Sequence, residues 1–395
     1  MLTFPVAEFQ GRLEKTKSCM VKQGIDVLVV TDPANMNYLS GYDAWSFYVH
    51  QALIVFVDEL QPYWIGREMD AKAATFTTWL DHDHIIPYED FYVQSDVRHP
   101  MDFISQFLKR KNKSTGRVGL EFDSYYFTAQ SFVRLTKGLP DAIFVDGTNL
   151  VNWVRMIKSD QEIEYMKKAA KISERAMQAA FDTLQVGVRE NDVAASIMFA
   201  QVSGTNDYGG DYPAIVPLLP AGKKTSACHL TWTDDVLLDG DAATIELAGC
   251  YKRYHSPLAR TAVVGNPDEE LVRLSEIVKE GIESALQVMK PGACCEDVEE
   301  AWRKTIEKYG VTKESRIGYS VGLNYPPDWG ERTASLRPGD RTVLKENMVF
   351  HMIPILTDGP RSISMSETVR VTDKGHELLA QFPRELFIKP NIRLA

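Results

Sequence analysis

The stretch from Leu237 to Thr261, LLDGDAATIELAGCYKRYHSPLART, sets the tightest limit on how this chain can fold. Asp239-Gly240-Asp241 is turn-forming, and the Ala-Ala-Thr-Ile-Glu-Leu-Ala run behind it reads as a short apolar strand. The chain returns through Tyr251 and Tyr254 to Arg260-Thr261, so a β-hairpin is expected here. Glu246 falls inside the first arm. A carboxylate in an apolar strand is costly unless it is paired, liganded or used. Two readings follow: a salt bridge to Arg253 or Arg260, or a working group in a site.

The rest of the composition narrows the class. A chain of 395 residues is too long for one ordinary core and suggests two domains. With 44% hydrophobic and 25% charged residues it has the make-up of a soluble globular protein. The net charge of −10 argues against a nucleic-acid partner, because phosphate binding needs basic patches. No apolar run approaches a membrane span and the first residues lack a signal-peptide pattern, so no membrane partner is expected and the cytoplasm is the expected location. Five cysteines, 19, 228, 250, 294 and 295, lack CxxC spacing and fit reduced thiols rather than disulfides or a zinc site. The histidines of Asp81-His-Asp-His84 and His99 read as solvated loop residues.

Along the chain, residues 5–23 carry a helical period, followed by apolar strands at 25–30, 52–57, about 63–65, 118–121 and 142–145. This predicts an α/β domain over 1–152. Its segment Asp43 to His50, which includes Trp45 and Tyr48, is rich in aromatics; it is either an exposed loop or part of the domain's own core. Over 153–395, Ser159 and Glu162 have capping-box spacing at the head of a long helix. Helices are expected to about 184, then over 190–202, 268–290 and 296–309. Strands are expected at 213–219, 242–261, 316–323, 348–356 and 365–372.

The hairpin resembles a motif of the creatinase/aminopeptidase-P superfamily, in which a Gly-Asp turn precedes a strand with one metal-binding Asp and a second follows eleven positions later. That resemblance extends over essentially the whole chain and implies a creatinase-like α/β N-terminal domain followed by an α+β pita-bread catalytic domain. It is carried further by Ala227-Cys-His-Leu230, Gly318-Tyr-Ser-Val-Gly322, Val349-Phe-His-Met-Ile-Pro354 and Ser366-Glu-Thr-Val-Arg-Val-Thr372. At the superfamily's five ligand places stand Glu246, Pro257, Tyr319, Ile353 and Ser366. Only one of these binds a divalent ion well, so no metal and no other cofactor is expected.

Thr31 to Tyr38, Trp45 to His50 and Tyr325-Pro-Pro-Asp-Trp-Gly-Glu331 most resemble the branch that opens the cyclic amidine of ectoine to an N-acetyl-2,4-diaminobutyrate. A small zwitterion, ectoine or hydroxyectoine, is the implied substrate and a homodimer the implied assembly. On this reading Glu246 attacks the amidinium carbon or activates water, and His229 shuttles the proton. Glu367 holds the ring N–H groups, Tyr319 donates to the intermediate and His255 assists proton transfer. Arg332 clamps the substrate carboxylate, while His351, Trp45 and Tyr48 line the pocket. The alternatives are a creatinase-like amidinohydrolase, an Xaa-Pro dipeptidase and a non-catalytic binding member of the fold.

Overall fold

A computed structural model describes residues 2–390. The chain divides into two compact units, the first ending at Arg155 and the second starting at Met156. The helix Leu150–Arg155 belongs wholly to the first unit, so the division falls just beyond the expected 152.

In the first unit α1 (Val6–Gln23) leads to β1 (Val27–Val30), α2 (Pro33–Ser40), β2 (Ala52–Phe56) and β3 (Tyr63–Arg67). There follow α3 (Ala71–Thr77), β4 (Ile85–Tyr88), α4 (Pro100–Arg110), β5 (Arg117–Leu120), α5 (Ala129–Gly138), β6 (Ile143–Asp146) and α6 (Leu150–Arg155). The six strands form one mixed sheet in the order β4-β3-β2-β1-β5-β6. β1 and β2 are buried at every position, which is why they read as unbroken apolar runs.

The Thr31 to Tyr38 motif does structural work. Asp32 caps α2 by accepting from the Ala34 and Asn35 backbones, and Pro33 occupies the first turn, where its missing N–H costs nothing. The buried Glu121 carboxylate accepts from the Thr31 backbone at 2.6 Å, the Asp32 backbone at 2.8 Å and Asn35 Nδ2 at 2.6 Å. Asn35 in turn receives Arg155 Nη1 at 2.6 Å, so one buried polar hub ties β5, α2 and α6 together. His99, expected in a solvated loop, instead caps α4 and stacks with His50 at 4.6 Å.

The second unit opens with α7 (Asp160–Thr183) and α8 (Glu190–Ser203), then the ribbon β7 (Ala242–Tyr251) and β8 (Tyr254–Val264). Next come α9 (Glu269–Val288), α10 (Cys295–Glu307), β9 (Gly318–Val321), β10 (Gly330–Leu336), β11 (Val349–Met352), β12 (Ile355–Asp358), β13 (Arg361–Ser364), β14 (Glu367–Val371), β15 (His376–Leu378) and β16 (Phe387–Lys389). A five-stranded sheet runs β10-β9-β11-β14-β15, and β16 lies parallel to β8. Trp302 of α10 and Ile282 of α9 pack with Leu336, Phe350 and Val369 of the sheet in one apolar cluster.

Two expectations change. The segment 213–219 is not a strand: among the described residues it makes one isolated bridge, at Leu218, because Pro213 and Pro217 within it and Pro220 just after it each lack a ladder donor. The run 348–356 splits into β11 and β12 around Ile353-Pro354. β10, which carries Arg332 at φ 58, lacks the apolar alternation that would have announced it.

α7 begins at the expected capping box, where the Ser159 hydroxyl accepts from the Glu162 backbone and Glu162 Oε2 accepts from the Ser159 backbone. The other Glu162 oxygen accepts from the Tyr254 hydroxyl at 2.7 Å, fixing the return arm of the ribbon. The helix presents Ala169, Ala170, Ser173 and Ala176, small enough for backbone to meet backbone. At Gly249 a Cβ would stand 2.1 Å from the Ala169 carbonyl oxygen, and the Gly249 N–H donates to Ser173 Oγ at 2.7 Å. Gly249→Ala is therefore expected to cost about 3 kcal/mol or more in urea unfolding of the full chain. A midpoint equal to the parent's would mean that α7 does not press on the ribbon there.

Candidate active site

The predicted hairpin forms in full register, with Glu246 opposite Ala259 and Ala248 opposite Pro257. Its reversal is a two-residue turn in which Lys252 and Arg253 both adopt positive φ, as a tight hairpin requires. On its other edge the Glu246 backbone exchanges both hydrogen bonds with Leu218, at 3.0 and 2.9 Å. Glu246 is thus held between two strands' worth of backbone, and its residue is only 8% exposed.

Its carboxyl has no hydrogen-bond or ion-pair partner among the described residues. The first of the two readings fails at Arg260, which pairs with Glu367 instead, at 2.9 Å. Burial, followed by the negative charge of Asp328, pushes the Glu246 carboxyl up to about 7. Asp328 is itself raised by burial, against the Gly330 N–H at 2.8 Å and the charges of Arg316 and Arg332.

Beside Glu246 runs a hydrogen-bonded chain. Trp329 Nε1–H donates to the Tyr319 oxygen at 2.8 Å, and that hydroxyl meets His351 Nδ1 at 3.0 Å. His351 Nε2 meets Ser366 Oγ at 2.7 Å, which receives the Ala259 N–H at 2.6 Å. Burial, then the charge of Arg316, pushes His351 down to about 3, so its ring is neutral at pH 7 and carries one N–H. The Tyr319 phenol is raised first by burial and next by the charge of Glu246, and remains protonated. The chain closes back on the ribbon at Ala259, the residue facing Glu246.

The other expected residues are placed as follows. His229 is exposed in the loop before the ribbon, which is tied down by the Leu219 N–H to Leu230 carbonyl bond at 3.2 Å. His255 is fully buried, and its ring faces the backbone: Nε2 accepts from Ala214 at 2.8 Å and Nδ1 lies 3.4 Å from the Gly322 carbonyl. Desolvation pushes it down to about 3. With both nitrogens so engaged it holds strands together and is not disposed to carry protons. Glu367 lies between Arg260 and Arg384, at 2.9 and 3.0 Å from the same oxygen, in a buried ion triad that leaves its Oε2 without a hydrogen-bond partner. Arg332 lies on β10, its charge felt by Asp328. Trp45 and Tyr48 belong to the first unit and are 58% and 64% exposed, whereas Phe47 between them packs on Trp45 and Tyr126.

Three contributors escaped the sequence reading. Asp328 and Trp329 lay within the Tyr325 to Glu331 string without being assigned roles. Arg316, just before β9, holds its guanidinium 4.4 Å over the Tyr319 ring and donates to Ser335 Oγ at 3.2 Å. No local pattern marks it.

The superfamily's divalent ions need converging carboxylate or imidazole donors. Pro257 and Ile353 offer none, while the Tyr319 and Ser366 oxygens are engaged in the chain just described. Among the described residues no group of three or more His, Cys, Asp or Glu could hold a metal ion. The donor set does not fit such an ion.

The profile of metallopeptidase family M24 matches residues 164–373, and that of the creatinase/prolidase N-terminal domain matches residues 12–157. The chain belongs to this family, the creatinase/aminopeptidase-P superfamily of pita-bread hydrolases. An ectoine hydrolase of Halomonas elongata is 45% identical, covering 98% of this chain and 99% of that one. An uncharacterized hydrolase/peptidase of Sinorhizobium fredii is 46% identical over the same shares. A prolidase structure from Thermococcus sibiricus superposes with a TM-score of 0.82 at 22% identity, covering 96% of this chain and 99% of that one, a likeness of fold alone. No helix among the described residues is long and apolar enough to cross a membrane.

Removing Glu367 would strand Arg260 in a dry interior. Glu367→Ala is expected to cost about 3–5 kcal/mol in denaturant unfolding; unchanged stability would return Glu367 to the list of ligand-facing groups.

Proposed function

We propose that this protein hydrolyses the cyclic amidine ring of ectoine to an N-acetyl-2,4-diaminobutyrate without a metal ion. The observation that carries the reading is the buried Glu246 carboxyl, which lacks a counter-ion among the described residues, in a site whose donor set does not fit a metal ion. An amidinium ring supplies the missing positive charge, and in a low-dielectric cleft that attraction is large. The 45% identity to an ectoine hydrolase over nearly the whole chain supports the choice of substrate.

The Glu246 carboxylate adds to the amidinium carbon, or removes a proton from a water that does. Tyr319, its oxygen already accepting from Trp329, is placed to donate to the developing tetrahedral centre. One ring C–N bond then breaks and its nitrogen leaves as an amine after taking a proton; where Glu246 has bonded to the carbon, a water adds to that carbon and expels the carboxylate, so the oxygen from water ends in the acetyl carbonyl by either route. His229, on its exposed loop, exchanges that proton with solvent. His351 acts through Tyr319. Trp45 and Tyr48 reach the ligand of a second copy in a homodimer, and the protein works in the cytoplasm.

An Xaa-Pro dipeptidase would need metal donors at positions such as 257 and 353, where proline and isoleucine stand.

Glu246→Gln is expected to abolish ectoine opening, followed by chromatography, while leaving the unfolding curve in place. Because the working form is the anion and its pKa is raised to about 7, kcat/KM should fall about tenfold per pH unit below 7 and level off above it. Asp328→Asn should move that midpoint to lower pH. Turnover should survive exhaustive chelation; stoichiometric manganese, cobalt or zinc essential for activity would sink the metal-free reading.

A further inference from the structure

The Tyr319 phenol feels the charges of Glu246 and Asp328, and the Arg316 guanidinium lies over its ring at 4.4 Å. Arg316 makes one neutral hydrogen bond, to Ser335 Oγ at 3.2 Å, and has no ion-pair partner among the described residues. A planar guanidinium has five N–H donors, so this contact leaves most of its fork unused. Its loop position leaves the group exposed, able to meet a ligand without prior desolvation of a buried pair.

We infer that Arg316 is the specificity residue that grips the substrate's carboxylate, so that Tyr319 acts as the spacer between the carboxylate end and the amidinium end of a zwitterion. The inference rests on the amidine reading above and deepens it: the site selects a cyclic amidine that bears a carboxylate, not a cyclic amidine as such. Arg332, assigned this role from the sequence, lies on β10 and, like Arg316, offsets the Asp328 carboxyl; what sets Arg316 apart is its place over the Tyr319 ring. Stacking over Tyr319 orients the Arg316 fork, and a charge-assisted bidentate pair adds both affinity and direction. Lysine would keep the charge but lose the fork.

The test compares parent, Arg316→Ala and Arg316→Lys with ectoine as substrate. As a competing inhibitor it uses the same six-membered cyclic amidine without its carboxylate. Arg316→Ala should raise KM for ectoine roughly tenfold to a hundredfold, the loss of one charge-assisted contact, with kcat changed far less. Arg316→Lys should fall between the two. The inhibition constant of the carboxylate-free ring should be the same in all three. An unchanged KM in Arg316→Ala, or an equal weakening for the carboxylate-free ring, overturns the assignment while leaving ectoine opening intact. Failure of the parent to open ectoine overturns the functional reading, and the assignment with it.

Discussion

An ionisable carboxyl group held in a dry strand, with no ion-pair partner among the described residues, is the constraint around which the second unit is arranged. The backbone of Glu246 is fixed on both edges, by β8 and by Leu218, so the side chain cannot swing away to find a partner. Arg260, one of the two candidates read from the sequence, is held by Glu367 and by the carbonyls of Ser366, Phe382 and Pro383. Burial is therefore relieved by taking up a proton near neutrality or by binding a positive ligand. The same group that makes the fold costly at this point gives it a use.

The fold places that cost where it is bearable. Helix α7 meets the ribbon through alanines, a serine and a glycine, and the capping Glu162 reaches back to Tyr254. Around the unpaired carboxyl the remaining polar groups are strongly mutually engaged: tryptophan, tyrosine, histidine, serine and a backbone amide in sequence. Such a connected network is rigid when its members are satisfied.

Much of this was legible in the chain. The hairpin, the long helix with its capping box and the apolar strands of the first unit each carry a local signal, and local signals survive without tertiary context. What was hidden is pairwise. Nothing in the sequence says that Arg260 faces Glu367, that His255 turns both nitrogens to backbone, or that Arg316 lies over Tyr319, because each fact joins residues separated along the chain. The proline-broken segment 213–219 misled for the opposite reason: its apolar residues suggested a strand, and Pro213 and Pro217 forbade one. Asp328 stood in a recognised string and was passed over because its role depends on facing Glu246.

The arc from Trp329 to Ala259 has one further property. Both of its ends are fixed N–H groups pointing inward, and its only movable ring, His351, bears a single proton. If that proton sits on Nδ1, the phenol oxygen receives two N–H groups and must turn its own hydrogen away from both; if it sits on Nε2, the phenol points its hydrogen back at the imidazole and offers only lone pairs. One tautomeric shift thus reverses the polarity that the phenol presents while the total charge stays constant. A chain of this kind can present a donor to a nascent alkoxide and an acceptor to an ammonium without any atom heavier than hydrogen changing place.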